Sequence, residues 1–286
     1  MTDRRIDPVT GTETTGHQWD GIEELNNPLP RWWLWTFYGT IAWAAVYVVL
    51  FPAWPLVSQA TGGLLGWSTR SEVADEMAAA EAAQAPMWAR LEEVELAAVP
   101  ADPELAGFTA NAGAALFRTN CSQCHGAGAA GGVGYPNLLD DDWLWGGDVE
   151  AIAYTIRHGI RNEDDPDARW SEMPAFGEML TADEIATLVA HVQALPEGAD
   201  PTGDTSGGQL FADNCAACHG DDGRGMRDIG APDLTDAIWL YGNSTERLTR
   251  TIGEGPFGVM PAWGGRLTEA EVRALAVYVH GLGGGE

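Results

Sequence analysis

From Trp32 to Val57 the chain carries no charged residue, and the uncharged run continues to Thr69. A helix needs about 20 apolar residues to cross a hydrocarbon core of roughly 30 Å. Trp32, Trp33 and Trp35 at one end and Trp54 at the other lie where an aromatic belt belongs. The pattern predicts a transmembrane helix over 32–57, weakening near Pro52 and Pro55. A secretory leader has an apolar core of about 7–15 residues, shorter than this run, and no convincing A-x-A cleavage site follows it. The segment is therefore expected to remain as an anchor. Residues 1–31 are polar and rich in Gly, Pro and Thr, and are expected as a loosely ordered tail in which His17 is solvated. Arg4, Arg5 and Arg31 precede the span and the next Arg is Arg70, which favours a cytoplasmic N-terminus. A connector fills 58–106. Its Ala- and Glu-rich part, 71–98, is expected as helix interrupted near Pro86, with Met77 and Met87 as packing residues.

Beyond residue 106 the hydrophobic pattern repeats. Gly113-Ala-Ala-Leu-Phe117 matches Gly207-Gly-Gln-Leu-Phe211 at an offset of 94 residues, and the four Cys follow at the same offset. Pro136-Asn-Leu matches Pro232-Asp-Leu, and Trp143-Leu-Trp145-Gly146 matches Trp239-Leu-Tyr241-Gly242, at an offset of 96. Met173-Pro174-Ala-Phe176 matches Met260-Pro261-Ala-Trp263 at 87, so the first copy carries nine extra residues within RNEDDPDARW. Each copy closes with a capping box, Thr181-Ala-Asp-Glu184 and Thr268-Glu-Ala-Glu271. Apolar residues at helical spacing follow: Ile185, Leu188, Val189, Val192, and Val272, Leu275, Ala276, Val279. No segment shows the sustained alternation of a sheet. The expectation is an all-α protein: one transmembrane helix, then two compact domains at 107–197 and 198–286, joined by the Pro/Gly/Asp linker PEGADPTGDTSGG.

Charge narrows the partners. Against 42 Asp and Glu stand 15 Arg and no Lys, a net −27. Nucleic acid is excluded as a partner by repulsion. A basic protein partner fits, as does a simple solubility role.

The four Cys carry the chemistry. They fall as Cys121-Ser-Gln-Cys124-His125 and Cys215-Ala-Ala-Cys218-His219. A disulfide, a thioredoxin-like dithiol and a zinc ribbon are the competing readings of C-x-x-C. None of them requires a His directly after the second Cys, and here that His occurs twice. The motif instead reads as covalent attachment of haem c, the two thiols bonding the vinyl groups and the His reaching the iron. Two haem c groups are expected. A Met thioether as second axial ligand would favour Fe(II) and raise the potential. Met173 and Met260, each before a Pro and before the closing helix, are the candidates. Met179 and Met226 have no counterpart in the other copy. His158 aligns with Glu254 and His191 with Tyr278, so repeat logic makes neither a ligand; His280 is expected to be exposed. The Trp143, Trp145, Trp239 and Tyr241 clusters are expected to pack around the macrocycle, with an indole N–H also able to meet a propionate. Arg157 and Arg161 are candidates for propionates or for solvent. Own-copy ligation is favoured because each copy holds a complete pattern; the alternative is exchange, Met173 with the second haem and Met260 with the first.

The Gly-x-x-x-Phe, C-x-x-C-H and Met-Pro pattern resembles the class I cytochrome c domain. The N-terminal block His17-Gln-Trp-Asp-Gly-Ile-Glu-Glu-Leu-Asn-Asn-Pro-Leu-Pro-Arg-Trp-Trp, one anchor and two haem motifs resemble the CcoP (FixP) family of cbb(3)-type cytochrome c oxidase subunits. The resemblance covers nearly the whole chain. It implies an electron relay at the bacterial inner membrane, single-pass, with haem domains in the periplasm. Such a relay takes electrons from a donor cytochrome c and passes them to a monohaem cytochrome c subunit. A haem–copper subunit of the proton-pumping oxidase then reduces oxygen. This chain lacks the intramembrane His set of a haem–copper site, so no catalytic residue is expected on it. A free-standing dihaem carrier and a dihaem peroxidase are the alternatives.

Overall fold

The structure, a computed structural model, describes residues 4–286 and divides into two compact units, the first ending at Ala83 and the second Gln84–Glu286.

In the first unit the expected loose tail is instead an ordered hairpin. Strands β1 (Thr14–Trp19) and β2 (Ile22–Leu25) pair antiparallel, with Trp19 opposite Ile22 and Gln18 opposite Glu23. Asp20 and Gly21 close them with φ of 50° and 84°. Positive φ at both turn residues gives the two-residue turn whose twist matches the strands, and Asp-Gly is a preferred pair for it. His17 is exposed and stacks on Trp19, ring centroids 5.7 Å apart.

Helix α1 (Arg31–Leu50) follows Pro30 and buries none of its residues, although nearly all are apolar. At 1.5 Å per residue its 20 residues span about 30 Å, long and apolar enough to cross a membrane. It is shorter than the 32–57 span expected from charge alone. Phe51, extended at φ −115° and ψ 162°, ends it because Pro52 disfavours a helical residue before it. The loop then turns back: Leu64 and Leu65 N–H donate to the Val49 and Leu50 carbonyls at 2.9 and 3.1 Å, satisfying acceptors a helix end leaves free.

Helix α2 (Thr69–Glu93) runs through Pro86. The expected interruption is absent; both flanks are rich in Ala and Glu, and this propensity outweighs one missing N–H. Met77 is exposed rather than packing, whereas Met87 packs beside buried Leu91, Val99, Leu105 and Ala274.

The second unit holds the remaining helices. They are α3 (Pro103–Asn120), α4 (Ser122–His125), α5 (Val149–His158), α6 (Ala182–Ala194), α7 (Ser206–Asn214), α8 (Ala216–His219), α9 (Thr245–Glu254) and α10 (Glu269–His280). Both capping boxes form: Thr181 and Thr268 N–H each donate to the Glu carboxylate three residues on, at 2.8 Å. Helices α6 and α10 then bury the apolar faces that the spacing predicts, including Leu188 and Leu275.

Those closing helices change places. The core around Phe117, Val149, Ile152 and Ile156, from α3 and α5, is completed by Val272, Leu275, Ala276 and Val279 of α10. The core around Phe211, Leu248 and Ile252, from α7 and α9, is completed by Ile185, Leu188, Val189 and Val192 of α6. Both copies of the repeat are present, but neither 107–197 nor 198–286 packs on itself as a contiguous domain. The approach of the closing helix needs glycine in both places. A Cβ on Gly113 of α3 would overlap Tyr278 of α10, and a Cβ on Gly207 of α7 would lie 2.6 Å from His191 of α6. Gly113 matches Gly207 and Tyr278 matches His191 in the repeat, so one contact is made twice, crossed each time.

Candidate haem sites

Each Cys-x-x-Cys-His sits on a single turn of helix. Cys124 and His125 N–H both donate to the Cys121 carbonyl, at 3.1 and 3.0 Å; Cys218 and His219 do the same to Cys215, at 3.1 and 2.9 Å. The turn brings two thiols and one imidazole to one side of the backbone. All four thiols are free. Burial, with the neighbouring Cys adding to it, pushes the Cys121 and Cys215 thiols up to about 11.

Both imidazoles are held in one tautomer. His125 Nδ1 lies 3.1 Å from the Pro136 carbonyl and His219 Nδ1 lies 3.1 Å from the Pro232 carbonyl. A carbonyl only accepts, so Nδ1 carries the proton and Nε2 keeps a lone pair for a metal. Burial pulls both imidazoles below their ordinary pKa, which keeps them neutral. The repeat exposes these prolines as matched positions; only the structure gives them this task.

A cavity of about 600 Å³ opens beside the first turn. Cys121, Cys124 and His125 line it on one side of the sequence; Met260, Pro261 and Trp263 line it from the other copy. Ile160 and Met260 exchange backbone hydrogen bonds, both 3.0 Å, and Trp263 N–H donates to the Ile156 carbonyl at 3.0 Å. Gly159 ends α5 at φ +75°, and a Cβ there would overlap the Met260 carbonyl. On the other side the close approach of glycine to a Met carbonyl recurs. Gly255 ends α9 at φ +69°, and a Cβ there would overlap the Met173 carbonyl. Met173 packs against the core that holds Cys215, Phe211 and Ala216. Met260 thus shares a cavity with His125, and Met173 packs against the core that holds Cys215, the exchanged arrangement rather than the own-copy one. Two free thiols, a neutral imidazole with a free Nε2 and a thioether around an apolar cavity form a donor set that fits haem c.

The remaining candidates lie elsewhere. Met179 is exposed, as is Met226. His158 Nδ1 pairs with Asp165 at 3.0 Å, inside the nine-residue insertion. His191 Nε2 donates to the Pro201 carbonyl at 2.9 Å. His280 is half-buried rather than exposed, 2.9 Å from the Glu286 carbonyl. Trp143 directs its indole N–H to the Gly284 carbonyl, not into the cavity. Trp145 lines the first cavity beneath Arg169, 5.4 Å from its guanidinium, and packs on Gly230. Arg157 is bound to Glu269 at 3.1 Å, whereas Arg161 lines the first cavity.

Two Cys-x-x-Cys-His turns, the first facing a largely apolar cavity, in a helical fold with the domain present twice, define a c-type cytochrome. Residues 11–58 match the family described as the N-terminal domain of cytochrome oxidase-cbb3, FixP, and 108–192 and 203–279 match that described as cytochrome c oxidase, cbb3-type, subunit III. The chain is 58% identical over 276 residues to the cbb3-type cytochrome c oxidase subunit CcoP of Cereibacter sphaeroides, covering 96% of this chain and 95% of that one. It is 52% identical to the subunit FixP of Sinorhizobium medicae and 50% identical to that of Rhizobium meliloti, each over 99% of this chain and 98% of the relative. The chain belongs to the CcoP/FixP family, the cytochrome c subunits of cbb3-type cytochrome c oxidases.

Proposed function

We propose that this chain carries two haem c groups, bound through Cys121 and Cys124 and through Cys215 and Cys218, and relays electrons between them. His125 with Met260 would hold one iron, and His219 with Met173 the other. The observation that carries this pairing is the cavity shared by His125 and Met260, with its counterpart at Gly255 and Met173. Bound haem c supplies a one-electron Fe(III)/Fe(II) couple. The chain's own residues fix the conditions of that couple: Pro136 and Pro232 orient the imidazoles, and the crossed Met-Pro segments present neutral thioethers. Phe117, Ile152, Leu275 and Val279 keep water from the first site.

Helix α1 anchors the chain in the bacterial inner membrane, with the haem sites in the periplasm. Electrons enter from a donor cytochrome c and leave to a monohaem cytochrome c subunit, and oxygen is reduced on a haem–copper subunit. Residues 70–286 hold 12 Arg and 36 Asp plus Glu, a net −24, which draws a basic donor towards this part of the chain. Purification in mild detergent tests the assignment: haem b and copper should co-migrate with this chain. Migration as a dihaem protein without them contradicts membership of an oxidase. In the same preparation, electron transfer from a basic donor should slow as salt rises.

A further inference from the structure

Among the described residues one Arg lines the first cavity, and no carboxylate pairs with it. Arg161 lines the wall beside Met260. Its Nε donates to the Gly258 carbonyl at 2.6 Å and its Nη1 to the Ser171 carbonyl at 3.0 Å. No hydrogen bond engages Nη2 among the described residues, and no carboxylate lies within ion-pair distance. Glu172 contributes only a longer-range field. In a chain with 42 carboxylates and 15 Arg, an unpaired, half-buried guanidinium is costly unless a bound anion completes it. Arg5, Arg90, Arg157, Arg227 and Arg250 each have an Asp or Glu. A second free donor stands beside it: Tyr241 lines the same cavity, and its Oη has no hydrogen-bond partner among the described residues. The cavity's own acid, Asp142, makes no ion pair with Arg161.

We propose that Arg161 and Tyr241 bind a carboxylate of the group held by Cys121 and Cys124, a haem propionate. This rests on the haem assignment above. The two retained bonds aim the guanidinium, and Gly258 stands two residues before Met260, so the anion site and the thioether segment share one side chain. The site belongs to one copy only. Through the offset of 96, Arg161 corresponds to Phe257, and its guanidinium stacks 5.6 Å above that ring. The nine-residue insertion lies between Arg161 and Ser171, so the cation and the carbonyl that supports it flank the point where the copies differ.

A positive charge at this edge favours the reduced state of the first haem and leaves the second untouched. The test uses the full-length chain in its oxidase complex, as Arg161→Gln and Arg161→Lys, with both attachments verified by mass. Redox titration should show one c-haem potential lowered in Arg161→Gln, largely restored in Arg161→Lys, and the other unchanged. The propionate-bending mode in resonance Raman should shift with it. Unchanged potential and mode in Arg161→Gln, with haem attached, would overturn the proposal. Loss of the Met-to-iron charge-transfer band with an unshifted propionate mode would also overturn it, making Arg161 only a tether for Gly258. Failure of the underlying reading looks different: the unmutated chain would carry no haem on Cys121 and Cys124.

Discussion

The surroundings of the two Cys-x-x-Cys-His turns use the same parts in the same order and differ at one edge. In both, a Pro carbonyl orients the His, a glycine ends the middle helix against a Met-Pro backbone, and a closing helix arrives from the other copy. The first pocket adds the insertion, with His158 bound to Asp165 and Arg169 stacked on Trp145 and Tyr154. Arg161 stands there too, and Phe257, its counterpart in the other copy, lines that same first cavity. Shared features therefore describe how a haem is held. The differing edge makes the surroundings of the first site electrostatically unlike those of the second.

The sharpest way to break the likeness is through its matched aromatic anchors. Phe117 and Phe211 are 1% and 0% exposed, and Phe→Ala in such a core costs about 3–5 kcal/mol. Crossing dictates where the damage spreads. Hydrogen exchange should rise in α10 for Phe117→Ala and in α6 for Phe211→Ala; the reverse assignment would return the copies to contiguous packing. The helix caps give a smaller version of the same comparison. Thr181→Ala and Thr268→Ala should each cost about 1 kcal/mol, seen as a lowered denaturation midpoint. Thr181→Ala should loosen the His219 side and Thr268→Ala the His125 side.

The smallest effect separates the pockets by pH. Asp142 lines the first cavity, and its counterpart in the second copy is Ile238. Burial, then the charges of Asp236, Asp140 and Asp233, push its carboxyl up to about 6, against the pull of Arg227. Deprotonation adds negative charge beside the site and favours Fe(III). The potential of the first haem should fall as pH rises through about 6, and Asp142→Asn should flatten that slope. An equal slope for both haems would assign it to another group.

Much of this was legible in the residues. The attachment motifs, the offsets of the repeat, both capping boxes and the anchor follow from spacing and local propensity. The exchange of α6 and α10 was not, for a physical reason. Leu188 and Leu275, with their neighbours, present equivalent apolar faces, so either helix satisfies either core and periodicity cannot rank the two packings. The matched glycines, Gly159 and Gly255, mark a close backbone approach without saying to which Met. The hairpin before α1 was signalled by Asp20-Gly21 and hidden by strands with few apolar residues. Helix α2 passes Pro86 because a single proline signal was outweighed by the residues around it.

The crossed ligation is the central claim, and a one-haem chain tests it directly. Cys121→Ala with Cys124→Ala leaves only the attachment at Cys215 and Cys218. In that background Met173→Ala should convert the remaining haem to a high-spin spectrum and abolish its Met-to-iron band, while Met260→Ala leaves both intact. High-spin conversion by Met260→Ala, with Met173→Ala silent, would contradict the account.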